Sequence, residues 1–130
     1  MAARAPLRRI LYVEDDPDIR TVANLALATV GGYELRACAS GQEAVDAAAE
    51  FRPDLLLIDV MMPGLDGPQT LSLLRQIPAT ASVPVVFMTA KVQPSELARY
   101  REMGVVDVIP KPFDPMRLAD EVRAAFQKAS

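Results

Sequence analysis

Short, unbroken apolar runs recur along this chain, and each is followed by a stretch with helical spacing. That alternation restricts the fold more than any other feature. The runs occupy residues 10–13, 55–58, 85–88 and 105–109, the last interrupted by Asp107, with a weaker one at 33–38. Each has strand length and is rich in aliphatic or β-branched residues. Continuous apolar runs, rather than alternating ones, suit strands covered on both faces, as in a parallel sheet.

The segments between them read as helices. Ile19, Val22, Ala23, Ala26 and Leu27 keep the 3.6-residue spacing of one face, and Asp16-Pro17 before them supplies an N-cap and a first-turn proline. Ser40 and Glu43 have capping-box spacing and open an Ala-rich helix that stops before Pro53. A third helix is predicted from Pro68 to about Gln76, closed by Pro78. A fourth runs over 95–103 with Gly104 as its stop, and Asp114-Pro115 opens a fifth carrying Leu118, Val122, Ala125 and Phe126 on one face. Five repeats of strand then helix predict an α/β fold with right-handed crossovers: a doubly wound five-stranded parallel sheet, order 2-1-3-4-5, flavodoxin-like (βα)5. With no linker or low-complexity stretch, residues 1–130 read as a single domain with its core at about 8–126.

Composition excludes several chemistries. There is no His and one Cys, Cys38, so Ser-His-Asp and Cys-His catalysis, a Cys-based zinc site and an internal disulfide are all ruled out. Cys38 reads as a plain buried residue. A charge of −3 and the absence of Trp argue against direct nucleic acid binding. Arg4, Arg8 and Arg9 precede an apolar stretch too short for a signal peptide, and no run reaches membrane-spanning length. The expectation is a cytoplasmic protein without membrane contact.

The polar residues fall at the strand ends. The first run ends in Glu14-Asp15-Asp16, the third in Asp59, the fourth in Thr89-Ala90-Lys91, and Lys111-Pro112 follows the fifth. In an open parallel sheet all C-terminal strand ends share one edge, and ligand sites form where the strand order reverses. With order 2-1-3-4-5, Glu14, Asp15 and Asp59 converge there, beside Thr89 and Lys111. Two like unit charges ~4 Å apart repel by about 4 kcal/mol at an effective dielectric near 20. Such a cluster calls for a cation, and an all-oxygen donor set suits Mg²⁺, with Mn²⁺ or Ca²⁺ as alternatives. Metal, ammonium and hydroxyl together make a receptor for a phosphoryl group, with Asp59 a candidate nucleophile. Singly, each feature is ordinary: an acidic turn, of which Asp16 is the cap, a strand-end Asp, a surface Lys. Four strand ends each presenting the required group are not.

At these residues the chain resembles the receiver domain of bacterial two-component response regulators, of the chemotaxis-like, stand-alone kind, over about 8–125. "ILYVEDDPDIR" is similar to the family's first strand and acidic turn, "PDLLLIDVMMPGLDG" to its phosphoacceptor strand and loop, "VPVVFMTA" to its hydroxyl-bearing strand, and "KPF" to its lysine motif. The resemblance implies that Asp59 accepts a phosphoryl group from a sensor histidine kinase or histidine phosphotransfer protein in a Mg²⁺-dependent reaction. It implies metal contacts from Glu14, Asp15, Asp59 and the Met61 backbone carbonyl, with Thr89 and Lys111 on the phosphoryl oxygens and Met61 and Lys91 flanking the path of hydrolytic water. It also implies a cis bond at Lys111-Pro112, and a switch in the binding of a downstream protein through the helix 4–strand 5–helix 5 face. Such a protein is mainly a signalling switch that catalyses its own phosphorylation and dephosphorylation, without small-molecule turnover. The chain departs from the family at Val108, where an aromatic residue is frequent, and in pairing Glu with Asp in the acidic turn.

Three other readings compete. A magnesium-dependent aspartyl-phosphate phosphatase needs a second acid two residues after its nucleophile, where this chain has Met61. A phosphorylation-independent, receiver-like interaction module has no need of the full acid, Thr and Lys set. A flavin-binding domain needs hydroxyl- or glycine-rich phosphate loops where this chain places acids.

Overall fold

A computed structural model describes residues 6–129; Arg4 of the basic N-terminal run lies outside the described residues. Five strands, β1 (Arg9–Val13), β2 (Glu34–Cys38), β3 (Leu55–Asp59), β4 (Val85–Thr89) and β5 (Asp107–Pro110), form one parallel sheet in the order β2-β1-β3-β4-β5. Between and after them run α1 (Pro17–Asn24), α2 (Gly41–Phe51), α3 (Gly67–Leu74), α4 (Pro94–Glu102) and α5 (Leu118–Lys128). The doubly wound, flavodoxin-like architecture read from the sequence is the one observed.

The period of two along each strand divides the core into two layers. Leu11, Val13, Leu56, Ile58, Val85 and Phe87 face the side covered by α2, α3 and α4. Ile10, Tyr12, Leu55, Leu57, Val86 and Met88 face α1 and α5. Every residue of β3 and β4 is buried, which explains why these segments read as continuous apolar runs. Each buried Leu or Ile contributes roughly 2 kcal/mol to holding that register. β2, at the sheet edge, buries only Cys38 fully, and its sequence signal is correspondingly weak.

Helix starts follow local chemistry. The Asp16 side chain accepts from the amides of Asp18 and Ile19, and Pro17 takes the first helical position. Ser40 accepts from the Glu43 amide, but the Glu43 carboxylate turns to the Ala39 amide, so only half of the expected box closes. The complete box stands at Asp66 and Gln69, opening α3. Gly104 ends the α4 region at φ +87°, as the stop signal required.

Several boundaries differ from expectation. α3 ends at Leu74 rather than about Gln76, and β5 begins at Asp107 because the amide of Val105 is taken by the α4 carbonyl of Tyr100. Asp114 accepts from Met116 in a local turn, and α5 starts only at Leu118. α1 continues as a π-helical segment, Leu25–Val30, closed by a hydrogen bond from the Gly31 amide to the Ala26 carbonyl (3.0 Å). Ala26 and Leu27 of this segment are buried in the core.

Candidate functional site

The ends of β1 and β3 are neighbours in register, Val13 beside Ile58, so the next residues share the rim. The Glu14 amide extends the ladder to the Cys38 carbonyl (3.0 Å), which fixes Glu14 at the strand end although the side chain is charged. Asp59 is the last residue of β3 and lies opposite Met88. Past it, Val60 donates to the Met88 carbonyl and Gly67 to the Val60 carbonyl, both at 2.9 Å. A Cβ on Gly67 would lie 2.8 Å from Val60 Cα and 3.0 Å from the Asp59 carbonyl oxygen, so glycine lets α3 start against the strand end. Lys111 is anchored through its amide to the Thr89 carbonyl (2.9 Å), and its bond to Pro112 is cis.

These anchors bring Glu14, Asp15 and Asp59 together: one carboxylate oxygen from each lies within 4.8 Å of the others. Glu14 and Asp59 are 1% and 2% exposed, and Asp15 is the most open of the three. Lys111 Nζ bridges the buried pair, at 2.8 Å from Glu14 Oε1 and 3.3 Å from Asp59 Oδ2. Glu14 Oε2 accepts from the Asp16 amide at 3.2 Å.

Burial pushes the Asp59 carboxyl up to about 7, the Glu14 charge pushes it the same way, and Lys111 opposes both. Lys111 itself is held above its ordinary value. Burial alone would lower it, but the Glu14 hydrogen bond and the Asp59 charge outweigh that cost. Tyr12, beneath the cluster in the sheet, has its phenol pushed up by burial and then by Glu14 and Asp59, and its hydroxyl has no partner among the described residues.

Thr89 is buried at the end of β4, one residue beyond the partner of Asp59, and its hydroxyl accepts from the Lys91 amide (3.0 Å). Met61 lies two residues past β3 with its side chain 60% exposed. Met61, Thr89, Lys91 and Tyr100 line a cleft of about 560 Å³ alongside the cluster. All the candidate side chains therefore lie at one edge, the C-terminal rim of the sheet. Cys38 is buried and free.

Comparison with known proteins decides the family. The model of the response regulator receiver domain matches residues 10–123. This chain belongs to that family. The DNA-binding response regulator MtrA of Mycolicibacterium smegmatis is 36% identical over 121 residues, covering 93% of this chain and 51% of MtrA. The chain thus spans about half the length of the curated relatives it matches. Chemotaxis protein CheY4 of Vibrio cholerae superposes with a TM-score of 0.85 at 26% identity, covering 92% of this chain and 98% of CheY4. The receiver domain of sensor histidine kinase PA1611 from Pseudomonas aeruginosa, with a magnesium ion coordinated in its active site cleft, gives a TM-score of 0.79 at 29% identity, covering 95% and 99% of the two chains. No helix among the described residues of the receiver domain is long and apolar enough to cross a membrane.

Two residues of the site escape sequence reasoning. Gly67 is legible only as one more loop glycine until α3 is seen to start against Val60. Arg20 reads as a solvated helix residue, yet its guanidinium folds back to the main-chain carbonyls of Glu14 and Asp15.

Proposed function

We propose that this receiver domain, about residues 8–126, takes a phosphoryl group on Asp59 from a sensor histidine kinase or histidine phosphotransfer protein and passes the change to a downstream protein. The observation that carries this reading is the convergence of three carboxylates within 4.8 Å with Lys111 bridging two of them. The donor set, carboxylate oxygens without His or Cys, fits Mg²⁺ or Mn²⁺, held by Glu14, Asp15, Asp59 and the Met61 carbonyl. When bound, the cation supplies charge that offsets both the carboxylates and the incoming phosphoryl oxygens.

An Asp59 oxygen attacks phosphorus, the P–N bond of the phosphohistidine breaks, and the imidazole nitrogen leaves and takes a proton from solvent. Lys111 keeps part of the Asp59 population ionised at neutral pH, although burial favours the neutral form. Its ammonium then turns to a phosphoryl oxygen. Thr89 accepts from the Lys91 amide, which leaves its own proton to donate to a second phosphoryl oxygen.

The phosphoryl group adds about −1.5 to −2 charge units at the rim, and the response is a population shift toward conformations that pair with it. Thr89 and Lys111 connect that charge to α4, β5 and α5, where Val92, Leu97, Arg101, Val108 and Lys128 line a second cleft of about 400 Å³. That face is the proposed contact for the downstream protein. The domain acts in the cytoplasm, and its own surface, with the chain at −3, does not engage nucleic acid directly.

The test is incubation of wild type and Asp59→Asn with acetyl phosphate and Mg²⁺, followed by intact-mass measurement. One acid-stable, base-labile phosphoryl adduct on wild type alone is expected. An equal adduct on Asp59→Asn, or none on wild type, overturns the reading.

A further inference from the structure

We infer that Arg20 is a positioning residue for the cation site: it locks the main chain of the acidic turn so that Asp15 faces Asp59. The inference rests on the reading of this rim as a Mg²⁺ site.

Arg20 stands in the first turn of α1, where the helix dipole disfavours a cation. Something local must compensate. Its side chain leans back toward the helix N-terminus, the direction helical side chains take, and one guanidinium nitrogen donates to the Glu14 carbonyl at 2.8 Å and the Asp15 carbonyl at 3.4 Å. The Arg20 amide meanwhile bonds the Asp16 carbonyl at 2.9 Å, so three successive carbonyls of the turn are tied to one residue.

The two acids depend on that tie unequally. Glu14 is fixed independently at its amide by Cys38, and at its two side-chain oxygens by Lys111 and the Asp16 amide. The Asp15 carboxylate has no hydrogen-bond partner among the described residues. Its direction is therefore set by the main chain from which it springs, which Arg20 holds at the Glu14 and Asp15 carbonyls while the Glu14 carboxylate holds the Asp16 amide. A short side chain on a pinned turn meets a cation without first ordering itself; on a loose turn it has to give up that freedom on binding.

The test uses Mg²⁺ alone as probe, titrated calorimetrically into wild type, Arg20→Met, Arg20→Lys and Asp15→Asn. Urea midpoints in EDTA report whether each variant is folded. Arg20→Met is expected to weaken Mg²⁺ binding by about tenfold, as loss of an outer partner of a metal ligand does. Arg20→Lys keeps the charge but not the two-carbonyl reach, and is expected to recover only part of the affinity. Unchanged Mg²⁺ affinity in both Arg20 variants overturns the inference, as does full recovery by Lys, which would mean that charge alone matters. Should Arg20→Met fail to fold, the Lys variant decides by the same criterion. If wild type binds no Mg²⁺, the cation-site reading itself falls, an outcome distinct from Arg20 variants that match a binding wild type.

Discussion

Replacing Asp59 with Asn should stabilise the metal-free protein, and the size of the gain follows from where the carboxylate sits. Asp59 is 2% exposed, shares the rim with buried Glu14, and among the described residues has Lys111 as its one cation, at 3.3 Å. Its carboxyl is held at about 7 against an ordinary 3.8. An acid raised on folding contributes fully below its unfolded value, and that contribution is lost as pH rises through the folded value. The window here is roughly pH 4 to 7. At about 1.4 kcal/mol per pH unit, a separation of about three units costs wild type on the order of 4 kcal/mol at pH 8. Asn has nearly the same shape and cannot ionise, so it escapes that cost. Urea unfolding followed by circular dichroism in EDTA should place Asp59→Asn about 2–4 kcal/mol above wild type at pH 8, with the gap nearly closed at pH 4. Saturating Mg²⁺ should narrow the gap at pH 8, because it binds the wild-type fold more tightly. A variant no more stable than wild type at pH 8 in EDTA, or a gap independent of pH, would refute the reasoning: the carboxylate would not be under net electrostatic stress.

Two further outcomes follow from contacts. Met61 is 60% exposed at the mouth of the cleft beside Thr89 and Lys91 and cannot hold a water well, so Met61→Asn should speed loss of the phosphoryl group by roughly 5–10-fold, about 1–1.4 kcal/mol of added water positioning; a slower decay of the radiolabelled phosphoprotein would contradict this. A Cβ on Gly41 would collide with Thr70 Oγ1 and lie 2.8 Å from Leu65 Cβ, so Gly41→Ala should lower stability by about 1–3 kcal/mol, with Thr70→Ala restoring part of it in urea titrations.

The parallel sheet could be read from the sequence because β1, β3 and β4 are buried on both faces and therefore spell continuous apolar runs. The rim residues were legible for a related reason: once the order is known, a polar residue after each run has only one edge to occupy. What stayed hidden depends on contacts that periodicity does not encode. Asp114-Pro115 carries a sound helix-opening signal, yet the Asp side chain spends its oxygen on the Met116 amide and delays α5 to Leu118. The π-helical segment has no distinguishing residue; Ala26 and Leu27 satisfy an α-helical face just as well. Arg20 looks like any exposed helix cation, because its partners are main-chain carbonyls, to which sequence spacing is blind.

Stress at the rim is not relieved by the fold moving aside. β1 and β3 are locked in register from Ile10 beside Leu55 to Val13 beside Ile58, and every residue of β3 is buried in a close-packed layer. Shifting Asp59 away from Glu14 would drag those side chains out of contact, and opening a core around even one Leu costs roughly 3–5 kcal/mol, comparable with the repulsion itself. The charge has to be met by something that arrives. A proton and the Lys111 ammonium compete for Asp59, and on the function proposed above a divalent cation would join them. Under that proposal, a carboxylate in this condition would be ionised in part of its population and so able to attack phosphorus. The rigidity of the sheet, more than any single side chain, keeps Asp59 in that state.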